Sequence, residues 1–237
     1  MKIKILHLYH DLMNLYGEYA NVSVLCRHLE DAGIETVVDK MSIGDSFTIS
    51  DYDFVYCGAG TERNLKLALS DLIHHRNELK EYSENNKIAL FTGNSLEMLG
   101  SLITDRFGGK YEGLGLSDFT VIEGEKRLVG DAVFTADFID KPLVGFINKC
   151  SSINGSFTSL LNVKYGIGNN AEEKVDGVRI NNILGTHLTG PVLVKNPPFL
   201  NYVISLLMGG ELEQKKEYQS EILGYNVTVN ELMKRFS

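Results

Sequence analysis

A chain of 237 residues, 43% hydrophobic and 23% charged, has material for one α/β domain and at most a small appendage. A net charge of −8 with no Lys/Arg run argues against a general nucleic-acid binder, which needs clustered cations. Three scattered cysteines (Cys26, Cys57, Cys150) form no zinc or redox motif, and no apolar run approaches the roughly 20 residues of a membrane span. Charge and histidine interrupt the start MKIKILHLYH too early for a signal peptide. Reduced thiols, no metal, no cofactor, no membrane span and a cytoplasmic location are expected.

Ile3 to Tyr9 reads as a buried first strand, followed by a polar loop from His10 to Tyr19. Val22, Leu25, Cys26 and Leu29 then mark an amphipathic helix that stops at Gly33. Glu35 to Asp39 and Asp53 to Cys57 supply two more strands. Gly58-Ala59-Gly60-Thr61 follows, ahead of one long helical pattern through Leu65, Ala68, Leu69, Leu72 and Leu79. A glycine-rich turn of this kind is either a close-packed strand-to-helix joint or a set of backbone N–H groups that binds negative charge. His74 and His75, late in that helix, read as solvated side chains.

The centre of the chain is Ile88 to Gly100. An apolar strand ends in Thr92-Gly93-Asn94-Ser95, and Leu96, Met98, Leu99, Leu102 and Ile103 continue in a helical pattern. Strand, sharp turn and helix form the layout of a nucleophile elbow, here with glycine at its apex. Beyond it the chain turns β-rich: Phe119 to Ile122, Arg127 to Phe134, Leu143 to Asn148, Phe157 to Tyr165, Gly177 to Ile180 and Ile183 to Leu188 read as strands. Asn196-Pro197-Pro198 opens a last strong helix ending at Gly209-Gly210. A charged linker and a short helix follow, the latter with Thr228 and Glu231 at capping-box spacing. The expected division is residues 1–209 as the domain and 210–237 as linker and short helix.

Several motifs in order resemble the class I (triad) glutamine amidotransferases of the cobyric acid synthase-like branch, nearest to the glutaminase subunits of lipid II isoglutaminyl synthases. They are Asn14-Leu15-Tyr16-Gly17-Glu18 with Asn21, Gly58 to Arg63, Glu112-Gly113-Leu114-Gly115, Arg127 to Asp131, Gly145-Phe146 with Asn148, Gly166 to Asn170, and Leu184-Gly185-Thr186 through Gly190-Pro191 to Lys195-Asn196. The resemblance implies a flavodoxin-like α/β fold with a mixed, mostly parallel sheet flanked by helices. It implies glutamine or a related small molecule as ligand, and a Mur-ligase-like synthetase subunit as partner in peptidoglycan precursor amidation. In that chemistry a cysteine thiolate attacks the glutamine amide, backbone N–H groups hold the oxyanion, and a histidine moves the protons.

The family elbow reads Cys-Gly-Gly-Tyr-Gln-x-Leu-Gly, and this chain reads Gly93-Asn94-Ser95-Leu96-Glu97-Met98-Leu99-Gly100. The histidine motif Leu-Gly-Thr-Tyr-Leu-His-Gly-Pro is here Leu184-Gly185-Thr186-His187-Leu188-Thr189-Gly190-Pro191. Gly93 stands at the nucleophile position and Thr189 at the base position. Shifting the apex to Asn94 throws the closing Leu-Gly out of phase. The resemblance leaves Arg127, Gly58, Ala59, Gly60 and Asn94 as ligand-binding candidates, with Glu97 adding charge to the wall. The expectation is a non-hydrolytic binding or scaffold subunit. The alternative is an active glutaminase using Cys150 and His187 as displaced substitutes. On a strand His187 would share the face of Thr189, roughly 6.5 Å away. A plain flavodoxin-like nucleotide binder is disfavoured, because no GxGxxG or P-loop follows any strand.

Overall fold

The computed structural model describes residues 1–210, 212, 216 and 218–236. In chain order its elements are β1 (Lys2–Leu8), α1 (Tyr19–Asp31), β2 (Glu35–Met41), β3 (Phe54–Cys57), α2 (Glu62–Leu72), α3 (Arg76–Glu84) and β4 (Ile88–Thr92). They continue with β5 (Leu102–Thr104), β6 (Lys110–Glu112), β7 (Asp118–Ala136), β8 (Ile139–Ser156), β9 (Leu161–Tyr165), β10 (Val175–Asp176), β11 (Val178–Ile180) and β12 (Ile183–Thr186). The chain closes with α4 (Val192–Lys195), α5 (Pro197–Met208) and α6 (Gln219–Arg235).

The first sheet runs β11-β12-β4-β3-β1-β2, parallel throughout except for β11. This is flavodoxin-like order, and it directs the loops after β1, β3, β4 and β12 to one crevice at the carboxyl ends of the strands. The strands read as continuous apolar runs because both faces are covered. Ile3, Ile5, Phe54, Tyr56, Leu90 and Leu184 pack with α1 and α5, whereas Leu6, Leu8, Val55, Cys57, Phe91 and Ile183 pack with α2 and α3. The second sheet follows the path β10-β9-β7-β5-β6, with β8 paired antiparallel to β7. The fold is the expected mixed, mostly parallel α/β architecture with a β-rich second half.

Five local expectations change. The single long helix after the glycine turn is two, α2 and α3, separated by a 3-10 turn over Ile73–His75. His75 is not merely solvated there: it stacks on Phe47 at 4.3 Å, and its Nδ1 lies 3.0 Å from Glu78 Oε1. The two strands expected at 119–122 and 127–134 are one, β7, with Gly124, Glu125 and Lys126 absorbed in a register shift between Glu123 and Leu128.

The elbow is followed by a 3-10 run over Gly93–Leu99 and not by an α-helix, so Leu102 and Ile103 belong to a strand. A passing loop takes the carbonyls a longer helix would have used. Leu114, Gly115 and Gly113 donate their N–H groups to the carbonyls of Met98, Gly100 and Ser101 at 2.8, 2.7 and 2.9 Å. Gly113 permits that approach, since a Cβ there would lie 2.1 Å from the Gly100 carbonyl oxygen.

At the end of the chain, α6 begins well before Thr228, whose Oγ1 donates to the Gly224 carbonyl at 2.8 Å inside the helix. The helix is docked: Tyr225 and Leu232 pack with Val133 and Val144, and the Tyr225 hydroxyl donates to the Pro142 carbonyl at 2.6 Å. Much of the expected charged linker (Glu211, Glu213, Gln214, Lys215 and Glu217) lies outside the described residues.

His7 on β1 is buried, its ring edge-on to Tyr56 at 5.3 Å. Burial, together with the positive charges of His10 and Lys40, pulls its pKa from 6.5 down to about 4. Such a group costs no stability above pH 6.5, and its penalty grows as pH falls toward 4, where the unfolded chain already holds the proton. His7→Phe is expected to remove up to about 3 kcal/mol of that acid penalty. Acid unfolding followed by circular dichroism checks it, with the midpoint of the variant at lower pH.

Candidate functional site

The crevice is built from four loops. After β4 the backbone turns at Gly93 with φ +62°, a left-handed conformation that side chains rarely adopt. A Cβ at that apex would stand 2.5 Å from Ala59 Cβ and 2.9 Å from Thr189 Cγ2. The place where an elbow nucleophile would project is therefore filled by the middle of the glycine turn and by the residue at the base position. Thr189 is fixed by its N–H and its hydroxyl, both donating to the Phe146 carbonyl at 2.9 and 3.0 Å, and its methyl group faces Gly93.

The flanking hydroxyls point away from the apex. Ser95 Oγ donates to the carbonyls of Thr92 and Cys57 at 2.8 and 2.9 Å. Beneath the elbow, Glu18 is fully buried, a placement its sequence motif gives no sign of. Its Oε2 accepts from Tyr56 Oη at 2.8 Å and from Thr92 Oγ1, while Oε1 accepts from Gly190 N at 2.8 Å. Burial raises its pKa, opposed by those hydrogen bonds. One carboxyl thus ties the loops after β1, β4 and β12 together.

The turn at Gly58-Ala59-Gly60 is close-packed: a Cβ on Gly58 would lie 2.4 Å from the Met13 carbonyl oxygen, and one on Gly60 2.4 Å from Met13 Sδ. Its anion-binding potential is reduced by the chain itself. Asn94 Oδ1 accepts the Gly60 N–H at 3.0 Å, and Asn94 Nδ2 donates to the Gly60 carbonyl at 3.0 Å.

Arg127, at the register shift of β7, donates through Nη1 to Asn148 Oδ1 at 2.9 Å and through Nη2 to Glu62 Oε1. Asn148 Nδ2 in turn donates to Tyr16 Oη at 2.8 Å. Burial raises the Glu62 carboxyl, but its own backbone N–H and Arg127 outweigh this and hold it below the usual range. Cys150 Sγ sits 3.4 Å from the same Glu62 oxygen, and burial with that carboxylate pushes its thiol up to about 12.

His187 lies beyond the end of β12, so strand alternation does not aim it beside Thr189. Its Nδ1 is 2.8 Å from Asp176 Oδ1, while Asp176 Oδ2 accepts from Thr186 Oγ1 at 2.7 Å. Its Nε2 has no hydrogen-bond partner among the described residues and stands 3.8 Å from Glu97 Oε1. Glu97 also accepts from Ser151 Oγ at 2.5 Å. Lys149 is buried beside this group, donating to the Asn169 carbonyl at 2.8 Å, and burial lowers its pKa to about 8 although Asp176 and Glu97 oppose the shift.

Ala59, Gly60, Asn94, Arg127, Cys150 and Thr189 line one cavity of about 180 Å³. His187 is not on that wall, so the two candidate substitutes do not meet there. The cavity shares Thr61, Glu62, Glu123, Arg127 and Cys150 with a larger one of about 740 Å³. Among the described residues no cluster of His, Cys, Asp and Glu is placed to hold a metal ion, and no helix is long and apolar enough to cross a membrane. The three cysteines are free.

Two curated relatives are similar to most of this chain. The chain is 31% identical over 203 residues to the Lipid II isoglutaminyl synthase (glutamine-hydrolyzing) subunit GatD of Staphylococcus aureus (strain N315), covering 86% of this chain and 83% of that one. It is 28% identical over 224 residues to the protein of the same description from Streptococcus pneumoniae (strain ATCC BAA-255 / R6), covering 93% and 84%. Residues 4–197 match the model of the CobB/CobQ-like glutamine amidotransferase domain. With flavodoxin-like strand order, a left-handed elbow after β4 and a glycine turn packed against its apex, the chain belongs to the CobB/CobQ-like glutamine amidotransferase family.

Proposed function

We propose that this chain is a non-hydrolytic amidotransferase-like subunit, a cytoplasmic binding or scaffold protein that docks onto a Mur-ligase-like synthetase in peptidoglycan precursor amidation. The observation that carries the reading is the apex. Gly93 brings no nucleophile, and the space above it belongs to Ala59 and Thr189. Covalent attack needs a reacting atom within about 3–3.5 Å of the amide carbon, and nothing at this elbow reaches out. Cys150 is an unreactive substitute, because a thiol raised to about 12 is almost wholly protonated near neutrality. Arg127 and the small cavity remain as the ligand-binding part of the site, with Glu62 occupying the guanidinium that would otherwise meet a ligand carboxylate.

The test is reconstitution with a Mur-ligase-like synthetase partner. The two chains are expected to co-elute on size exclusion, and the complex to amidate its precursor from ammonium chloride but not from glutamine. Glutamine-supported amidation would overturn the non-hydrolytic reading. Failure to co-elute would overturn the scaffold reading.

A further inference from the structure

The hairpin of β5 and β6 lies at one edge of the second sheet and carries Arg106-Phe107-Gly108 at its tip. Phe107 is 82% exposed, the most exposed large apolar side chain among the described residues. The turn beneath it is fixed from within. Asp105 Oδ1 accepts from Phe107 N at 2.9 Å and from Gly109 N at 2.8 Å, and Asp105 Oδ2 accepts from Tyr111 Oη at 3.2 Å. The Gly108 N–H donates to the Asp105 carbonyl at 3.0 Å, and Gly108 takes a left-handed conformation, φ +85°. A turn tied at these points holds its ring out in water. Such a ring loses little conformational freedom when a partner buries it, which suits it to anchor an interface.

Phe107 stands on the wall of the larger cavity with Leu67 and Tyr111, themselves 41% and 36% exposed. Charge around the hairpin is uneven. Glu62 and Glu123 are paired with Arg127 and Lys66, Glu112 is paired with Arg76, and the Asp105 carboxylate is taken up by its turn. Arg63, Arg106 and Lys110 form no ion pair among the described residues, and Glu125 is the carboxylate of that wall left without a partner. Arg106 lies over the Phe107 ring at 4.6 Å, and Lys66 over the Tyr111 ring at 5.1 Å. A chain of net charge −8 thus shows, at this one hairpin, an apolar tip among cations that have no internal counter-ion.

We propose that this hairpin is a docking knob for the synthetase partner, with Phe107 entering an apolar socket whose rim carries carboxylates for Arg63, Arg106 and Lys110. The proposal rests on the scaffold reading for the identity of the partner and adds the surface that the partner grips. Position supports it, because the larger cavity shares its inner wall with the small one beside Gly93, so a subunit seated here covers the vacated site. Charge argues against a second copy of this chain meeting hairpin to hairpin, since a two-fold contact would bring the same cations together.

Isothermal titration of the full chain with a Mur-ligase-like synthetase tests the surface. Phe107→Ala is expected to weaken binding about 10- to 100-fold, the size of a lost anchor residue. Its thermal midpoint is expected to match wild type, because the ring faces water in the free chain. Arg63→Gln with Arg106→Gln is expected to weaken binding less and to flatten its dependence on salt. Leu223→Ala, at a side chain 65% exposed on α6, serves as control and is expected to bind as wild type. Binding of Phe107→Ala as tight as wild type, or an equal loss in Leu223→Ala, would overturn the proposal and leave the scaffold reading standing. No binding by the wild-type chain would overturn both. Self-association of the chain alone, abolished by Phe107→Ala, would assign the hairpin to a second copy and also overturn the proposal.

Discussion

Gly93→Ala is expected to lower stability by about 2–5 kcal/mol. A left-handed backbone costs an L-residue about 1–2 kcal/mol, and forcing a methyl group into filled space adds about 1–3 kcal/mol. The filling atom is Ala59 Cβ, 2.5 Å from the new methyl position, which cannot rotate aside and moves only with its backbone. Ala59→Gly in the same chain is therefore expected to recover the packing share, about 1–3 kcal/mol, and to leave the conformational cost in place. Urea unfolding of wild type, both single variants and the double variant measures the coupling. Additive effects would mean that the apex is open. The same geometry sets the terms for reinstating the chemistry: Gly93→Cys with Thr189→His meets Ala59 unless Ala59→Gly accompanies them.

Asp176→Ala is expected to cost about 3–5 kcal/mol, the scale for removing one partner from a buried charged group. Asp176 is wholly buried and accepts from Thr186 Oγ1 at 2.7 Å and from His187 N at 3.2 Å, besides its contact with the His187 ring. These contacts hold the start of the loop that delivers Thr189 to the apex. Lys149, already lowered to about 8, would lose a charge that raises it, so it is expected to release its proton at lower pH in the variant. Asp176→Asn keeps an acceptor for Thr186 and is expected to cost less. Chemical denaturation of both variants checks the order, and equal stability of Asp176→Ala and wild type would remove the group from the account.

The sheet was legible because β1, β3, β4 and β12 are buried on both faces and read as apolar runs between glycine joints. The elbow turn was legible as well, but the helix after it was not. The apolar spacing of Leu96 to Ile103 fits a helix, and only the arrival of Gly113 to Leu114 from later in the chain claims the carbonyls that would have extended it. The start of α6 departs from its capping signal for a related reason: Thr228 and Glu231 have capping spacing, yet Tyr225, upstream of them, is anchored on Pro142. At the site, the replaced positions Gly93 and Thr189 could be read directly from motif alignment. What closes the site could not. Asn94 with Gly60, Glu62 with Arg127, and Glu18 with Gly190 join residues far apart in sequence, and their types alone are equally at home on a surface.

The proposed subunit keeps an amidotransferase framework around a vacated reaction centre. Glutamine-dependent ammonia release by the purified chain, alone and with a Mur-ligase-like synthetase added, tests this reading. The expected rate equals that without protein and is unchanged by Cys150→Ala or His187→Ala. Ammonia release that either substitution abolishes would contradict it.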